Sequence, residues 1–395
     1  MNTTSRNVKL FYLYKLLSEP LFFGPIVIIS MMELGHMSVA EIFICESAYT
    51  IICFLIEVPT GAIADTIGTK KTILMGRIIF VVAYIFMALM TSSTMVWIGN
   101  ILWAIALSLE SGADQAFLYR TLKDSGEEGQ YKKILGKAVG YRLFVVMITS
   151  LIVSYLCRFG IRTPLLLGIP FILMSLVPVF MMTEPICHEN GVRKSGEYFR
   201  TIVSGLSSIT NSRELCWIFL FSILLGTISK IWFFTYNPYF ALAKIPVTYF
   251  GFIFFGLNLV AWLSSIYAGQ IENAIGERWV IIILMSVLSI PIIIMGLIVT
   301  WQCALLVLFQ NIVRGLSAPF VSGYINTRCE SESYRATILS VKSSASSLVS
   351  TIGLVIFSLA LRHYNLDTCL IALGSIALVS GALCYVRYIT ITKRE

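Results

Sequence analysis

Gly61-Ala62-Ile63-Ala64-Asp65-Thr66-Ile67-Gly68-Thr69-Lys70-Lys71 follows the second long apolar run of this 395-residue chain. A related stretch, Gly269-Gln270-Ile271-Glu272-Asn273-Ala274-Ile275-Gly276-Glu277-Arg278, follows the eighth, with glycine, Asp or Asn, glycine and a base in step. The offset is constant, since 269 − 61, 273 − 65 and 276 − 68 all equal 208. Internal repeats of this kind are frequent in transporter folds. The repeat implies two related halves, each with this turn between its second and third span.

The runs around the repeat identify the solvent. Apolar residues make up 57% of the chain and charged residues 13%, against roughly 45 to 50% and about 25% in soluble domains, so a water-facing surface is excluded. A membrane span needs about 20 apolar residues. Segmenting on that length gives runs near 10–32, 38–60, 72–92, 95–118, 134–157 and 163–183, then 215–240, 247–270, 279–300, 302–326, 335–361 and 366–390. The sequence therefore predicts an all-α integral membrane protein with 12 transmembrane helices in two pseudo-symmetric six-helix bundles, residues 1–184 and 214–395, joined by a central loop at 185–213. The first run continues from Leu10 to about Met32 without a small-residue cleavage site, so it reads as a span rather than a leader.

The formal charge of +8 is spread between the spans rather than gathered in a patch, which argues against a nucleic-acid partner. The amino terminus, the central loop and the even-to-odd connectors hold most bases, among them Lys70, Lys71, Lys132, Lys133, Arg193 and Lys194. The opposite connectors hold little beyond Arg158, Arg162, Lys244 and Arg362. Retention of positive loops predicts cytoplasmic termini and central loop, in a multi-pass protein of the cell's inner (plasma) membrane. The nine cysteines show no paired spacing, the three histidines lie in connectors, and neither a zinc-protease nor a P-loop pattern occurs. No metal site, cofactor or enzyme activity is expected.

With these residues in view, the sequence resembles the major facilitator superfamily, whose hallmark is a Gly-x-x-x-Asp-x-x-Gly-x-basic-basic stretch after the second helix, echoed after the eighth. Glu57-Val58-Pro59 before that stretch, Ser111-Gly112-Ala113 in the fourth span, Arg314-Gly315 in the tenth and Arg335-Ala336-Thr337-Ile338-Leu339-Ser340 opening the eleventh are similar to the family pattern. Members used in bacterial drug and tetracycline efflux show the same Glu-x-Pro-x5-Asp arrangement. Here Thr66 and Thr69 replace usual bases, and Gly136 and Gly140 stand without the proline of the antiporter motif. The resemblance implies a conformational-switch loop of Glu57, Pro59, Gly61, Asp65, Gly68, Lys70 and Lys71, with the Asp65 carboxylate accepting hydrogen bonds at the start of the eleventh helix.

Ionisable residues inside spans cost about 2.5 to 3.5 kcal/mol at the membrane centre and are functional candidates by default. Glu19, Glu110, Asp114, Arg142, Lys230 and Arg314 form the candidate set for proton coupling and the substrate cavity, with acids from the amino half facing bases from the carboxyl half. Glu110 and Asp114 are spaced to share one helix face, while static pairing, for example Asp114 with Arg142, is the alternative role. Glu46, Lys15 and Arg77 are set aside as interfacial or snorkelling groups. Phe233, Tyr236 and Phe254 are expected to line an apolar pocket suited to flat organic ligands and organic cations. The serines Ser343, Ser346, Ser347 and Ser350 recur at helical spacing and read as close helix packing. The expected function is alternating-access, proton-coupled efflux of small amphiphilic or drug-like compounds by a monomer. Metabolite uptake by symport or facilitated diffusion, and a non-transporting sensor or assembly partner, remain open alternatives.

Overall fold

The computed structural model describes residues 3–186, 212–328 and 332–392; side chains at 57, 58, 61, 62, 65, 326–328, 332–337, 339, 340 and 392 lie outside that description. The amino half contains α1 (Thr3–Leu17), α2 (Val27–Glu33), α3 (Val39–Ile67), α4 (Thr69–Ala88), α5 (Ser93–Glu110), α6 (Ala113–Lys123), α7 (Tyr131–Leu156), α8 (Arg162–Met174) and α9 (Leu176–Met181). The carboxyl half contains α10 (Arg213–Leu242), α11 (Phe250–Ile266), α12 (Ala268–Ile275), α13 (Glu277–Leu297), α14 (Val307–Arg328), α15 (Glu332–Leu361) and α16 (Leu366–Thr392). Among the described residues no strand occurs, and 11 helical stretches are long and apolar enough to cross a membrane. The all-α membrane fold expected from the hydropathy pattern is thus present, and the chain is a multi-pass membrane protein. The expected loop at 185–213 falls mostly outside the described residues.

The first expected span is not one helix. Residues 18–23 leave the helix between α1 and α2, and a 3-10 turn, Gly24–Ile26, follows. Pro20 lacks an N–H and disfavours helical backbone at Glu19 before it. Backbone groups at membrane depth must find partners. The Ser18 carbonyl accepts from Arg77 Nη1 at 2.8 Å, and the Leu21 carbonyl accepts from Thr149 Oγ1 at 2.6 Å.

The repeated motif is also less of a loop than expected. Helix α3 runs through Ile67, so the backbone at Asp65 is helical, and the turn narrows to Gly68 at φ 100°, ψ 151°. Gly276 makes the same turn between α12 and α13 at φ 79°, ψ 155°. Only glycine occupies this region without strain, which explains why glycine recurs at the 208-residue offset.

Two compact units emerge. One comprises residues 1–38, 48–193 and Val247–Phe255; the other comprises Val39–Ser47, 194–246 and 256–395. Each unit thus includes nine residues from the second helix of the other half, again 208 positions apart (247 − 39). In the first unit Phe11, Tyr14, Phe117, Leu118 and Leu122 form a buried core. The Phe252 N–H donates to Ser154 Oγ there at 3.1 Å. In the second unit Trp217 stacks on Phe221 with centroids 5.1 Å apart, and the Phe43 ring lies 5.0 Å from Phe357. The serine series packs α15 on α10: Ser350 Oγ is 3.3 Å from Thr227 Oγ1, and a Cβ on Gly226 would stand 3.0 Å from Ser346 Oγ.

Candidate functional site

In the first unit the intramembrane charges close on one another. Arg77 Nε donates to Glu110 Oε1 at 2.8 Å, Arg77 Nη2 donates to Glu110 Oε2, and the Tyr14 hydroxyl donates to the same Oε2 at 2.8 Å. The guanidinium also lies 4.4 Å from the centre of the Phe80 ring. Lys15 Nζ donates to Asp114 Oδ2. Arg77 is 0% exposed, so the expectation that Arg77 and Lys15 snorkel is overturned. Both are partners of candidate acids, because a charge taken out of water persists only where a counter-charge and hydrogen bonds meet it. Glu46, expected near the interface, is buried as well.

Glu110 and Asp114 do not share a helix face. The helix breaks between them at Ser111 (ψ 126°) and Gly112 (φ 81°), and Asp114 begins a new helix in the first turn of α6. A carboxylate is favoured there by the helix dipole. Arg142 pairs with Glu19 rather than with Asp114: Nη1 donates to Oε1 at 2.7 Å, and the side chains are 34% and 38% exposed. The acids Glu19, Glu110 and Asp114 therefore all meet bases of their own unit. The pair of Glu19 with Arg142, at the break in the first span, is partly exposed, whereas the other two are largely buried.

At the repeated motif the side chains of Glu57, Gly61 and Asp65 lie outside the described residues. Pro59 sits inside α3, Lys71 is exposed, and Lys70 Nζ donates to the Phe180 carbonyl at 3.0 Å. The start of α4 is held by Glu184: Oε1 accepts from the Thr69 N–H at 2.7 Å and from Thr69 Oγ1 at 2.8 Å, and Oε2 accepts from the Lys70 N–H at 2.8 Å. Sequence reasoning missed this residue, which falls at the boundary between the amino-half bundle and the central loop. Its only signal is an acid just past the sixth span.

The second unit holds a cavity of about 460 Å³ built by α10, α14 and α15. Lys230, Arg314 and Lys342 line it, with Gln310, Phe233, Phe234 and several serines, and none of the described lining residues is acidic. The structure thus brings Lys230, Arg314 and Phe233 to one cavity, together with Lys342, which the serine-rich run around it concealed. Tyr236 is buried, with its ring 5.2 Å from that of Phe233. Phe254 belongs to the first unit, where it packs beside Gly24. Among the described residues no cluster of three or more His, Cys, Asp or Glu could hold a metal.

A family model described as Major Facilitator Superfamily matches residues 21–244. An uncharacterised MFS-type transporter, YxaM of Bacillus subtilis (strain 168), is 22% identical over 372 residues, covering 90% of this chain and 89% of that protein. The fold is similar to that of a mutant of the nucleoside transporter NupG, with a TM-score of 0.79 and 14% identity over 98% of this chain and 100% of that one. It is also similar to a bacterial homologue of the human lysosomal transporter Spinster, with a TM-score of 0.74 and 13% identity over 100% and 98% of the two chains.

Proposed function

Because the chain belongs to the Major Facilitator Superfamily, we propose that this secondary transporter carries small amphiphilic solutes by proton-coupled alternating access, as an exporter. Family membership implies a small-molecule substrate. The observation that carries the finer reading is the carboxyl-half cavity. Its volume, about 460 Å³, falls in the range of small-molecule sites, roughly 300 to 1,000 Å³. It joins aromatic rings to a few convergent polar groups. The working form is a monomer in the inner membrane, with both termini cytoplasmic and the switch loop around Asp65 biasing the cycle.

Glu19 carries the coupling proton in this reading. It stands at a helix break within a span, a setting typical of transporter ion sites. Its side chain is partly exposed while those of Glu110 and Asp114 are buried. Protonating Glu19 exchanges its ion pair with Arg142 for a neutral carboxylic acid, so proton occupancy and the link between the first and fifth spans change together.

Proteoliposomes under an imposed pH gradient test both parts, using a fluorescent panel of cationic, neutral and anionic amphiphiles. Gradient-driven flux that Glu19→Gln abolishes is expected. Flux unaltered in Glu19→Gln removes the coupling assignment, and no flux of any compound in folded protein favours a non-transporting role. Metabolite uptake is the second reading. It is supported by Gln310 and the serine hydroxyls in the cavity wall, which suit a polar solute, and by the fold likeness to a nucleoside transporter. The orientation of the gradient that accelerates flux separates export from uptake.

A further inference from the structure

We infer that the carboxyl-half cavity binds an organic anion, a carboxylate or phosphate ester on an apolar body that also carries a hydroxyl or N–H donor. Three features of the cavity wall lead to this class. The first is charge. Arg314 and Lys342 line the space together with Lys230, and no acidic residue is among the described lining residues. Arg314 lies about two turns or more from either end of α14, too deep to be an interfacial anchor. Lys342 stands at the start of the apolar stretch Val341–Leu361. A base at the depth of Arg314 is costly unless an anion or water meets it, and a cleft lined by one sign of charge concentrates ligands of the opposite sign.

The second feature is Gln310, which is 3% exposed. Its Nε2 donates to the Ser229 carbonyl at 2.7 Å, which fixes the orientation of the amide, and its Oε1 has no hydrogen-bond partner. A buried acceptor without a donor costs roughly 1 to 3 kcal/mol, and a ligand hydroxyl or N–H at that point removes the cost. The third feature is the ring pair Phe233 and Phe234, which meet edge to face with centroids 5.3 Å apart and give the apolar body of a solute a wall. The organic cations favoured by an aromatic pocket alone are excluded here by the bases.

The same ligand class would serve an exporter or an importer, and the inference rests on the transporter reading only for its flux measurement. Binding is measured first, as thermal stabilisation of the purified full-length protein in detergent by para-hydroxyphenylacetate and by para-hydroxyphenyl phosphate. Their controls are the uncharged amide of the first, the amine tyramine, and para-methoxyphenylacetate, which lacks the donor.

Stabilisation by at least one anion, with none from the amide or amine, is expected. The anion affinity should fall about tenfold or more in Arg314→Gln and in Lys342→Gln, the worth of one charged hydrogen bond, and recover in part in Arg314→Lys. In Gln310→Leu the preference for hydroxyl over methoxy should vanish while anion binding persists. Equal stabilisation by amide and anion, preference for the amine, or no response to either anion overturns the inference. Flux in proteoliposomes then separates the two claims. Transport of neutral or cationic compounds alone leaves the transporter reading standing without the anion site, whereas Arg314-dependent binding without flux does the reverse.

Discussion

The two halves descend through the same repeat, and their third helices start at glycines in the same backbone conformation, yet they use intramembrane charge in opposite ways. Among the described residues the amino half joins three of its span acids to bases: Glu110 to Arg77, Asp114 to Lys15, Glu19 to Arg142. The carboxyl half gathers three bases around a cavity with no acid in its described lining. Ion pairs closed within a bundle fix helix packing, whereas bases that line a space concentrate ligands of the opposite charge there. The repeat therefore transmits backbone geometry without transmitting the role of the residues mounted on it.

The sharpest way to break this comparison is to remove one base from each half. Arg77→Met strands Glu110 in a dry site and should cost about 3 to 5 kcal/mol, read as a large fall in the thermal unfolding temperature in detergent. Adding Glu110→Leu should restore most of the loss. Arg314→Met should leave that temperature unchanged or higher, and a fall matching that of Arg77→Met would mean that the carboxyl-half bases are structural partners too.

A smaller effect is expected at the start of α4, which Glu184 secures with its carboxylate. Glu184→Ala removes an anion and three accepted hydrogen bonds from the beginning of α4, at a cost of about 1 to 2 kcal/mol. Hydrogen exchange at the Thr69 and Lys70 amides should accelerate while the start of α13 is unaffected.

The paired glycines sharpen the comparison further. Alanine at either pays the strain of a backbone region that glycine alone occupies freely, about 1 kcal/mol or more. Gly68→Ala should lose more than Gly276→Ala in parallel melts, because a Cβ at Gly68 would stand 3.0 Å from the Glu184 carboxyl carbon whereas nothing lies within 4 Å at Gly276. The smallest change is expected at the half-exposed pair: Arg142→Gln should shift stability by only about 0 to 1 kcal/mol. The same substitution should flatten the pH dependence of flux, so an unaltered pH profile would count against the pair as the coupling site.

Much of this was legible in the residues. Span lengths, the offset of 208 and the composition specify a two-part helical membrane fold, whereas the first span, despite Pro20, reads as one continuous run in which the break does not show. The pairings were not legible. Lys15 and Arg77 lie toward span ends, where the usual rule is that a long base reaches out to the interface, and only tertiary packing shows that they turn inward. Spacing placed Glu110 and Asp114 on one face, but the positive φ at Gly112 resets the helix between them. Lys342 was hidden in a serine-rich run read for packing. Charges in spans were found readily; their partners depend on helix contacts that no periodicity encodes.

The break in the first span also bears on how the protein is made. The carbonyls at Ser18 and Leu21 obtain their partners from Arg77 and Thr149, residues synthesised long after the first span has left the ribosome. Until the third and fifth spans arrive, that segment has neither a complete helix nor a donor for its open carbonyls. The break is therefore closed late, when side chains of the third and fifth spans supply its donors.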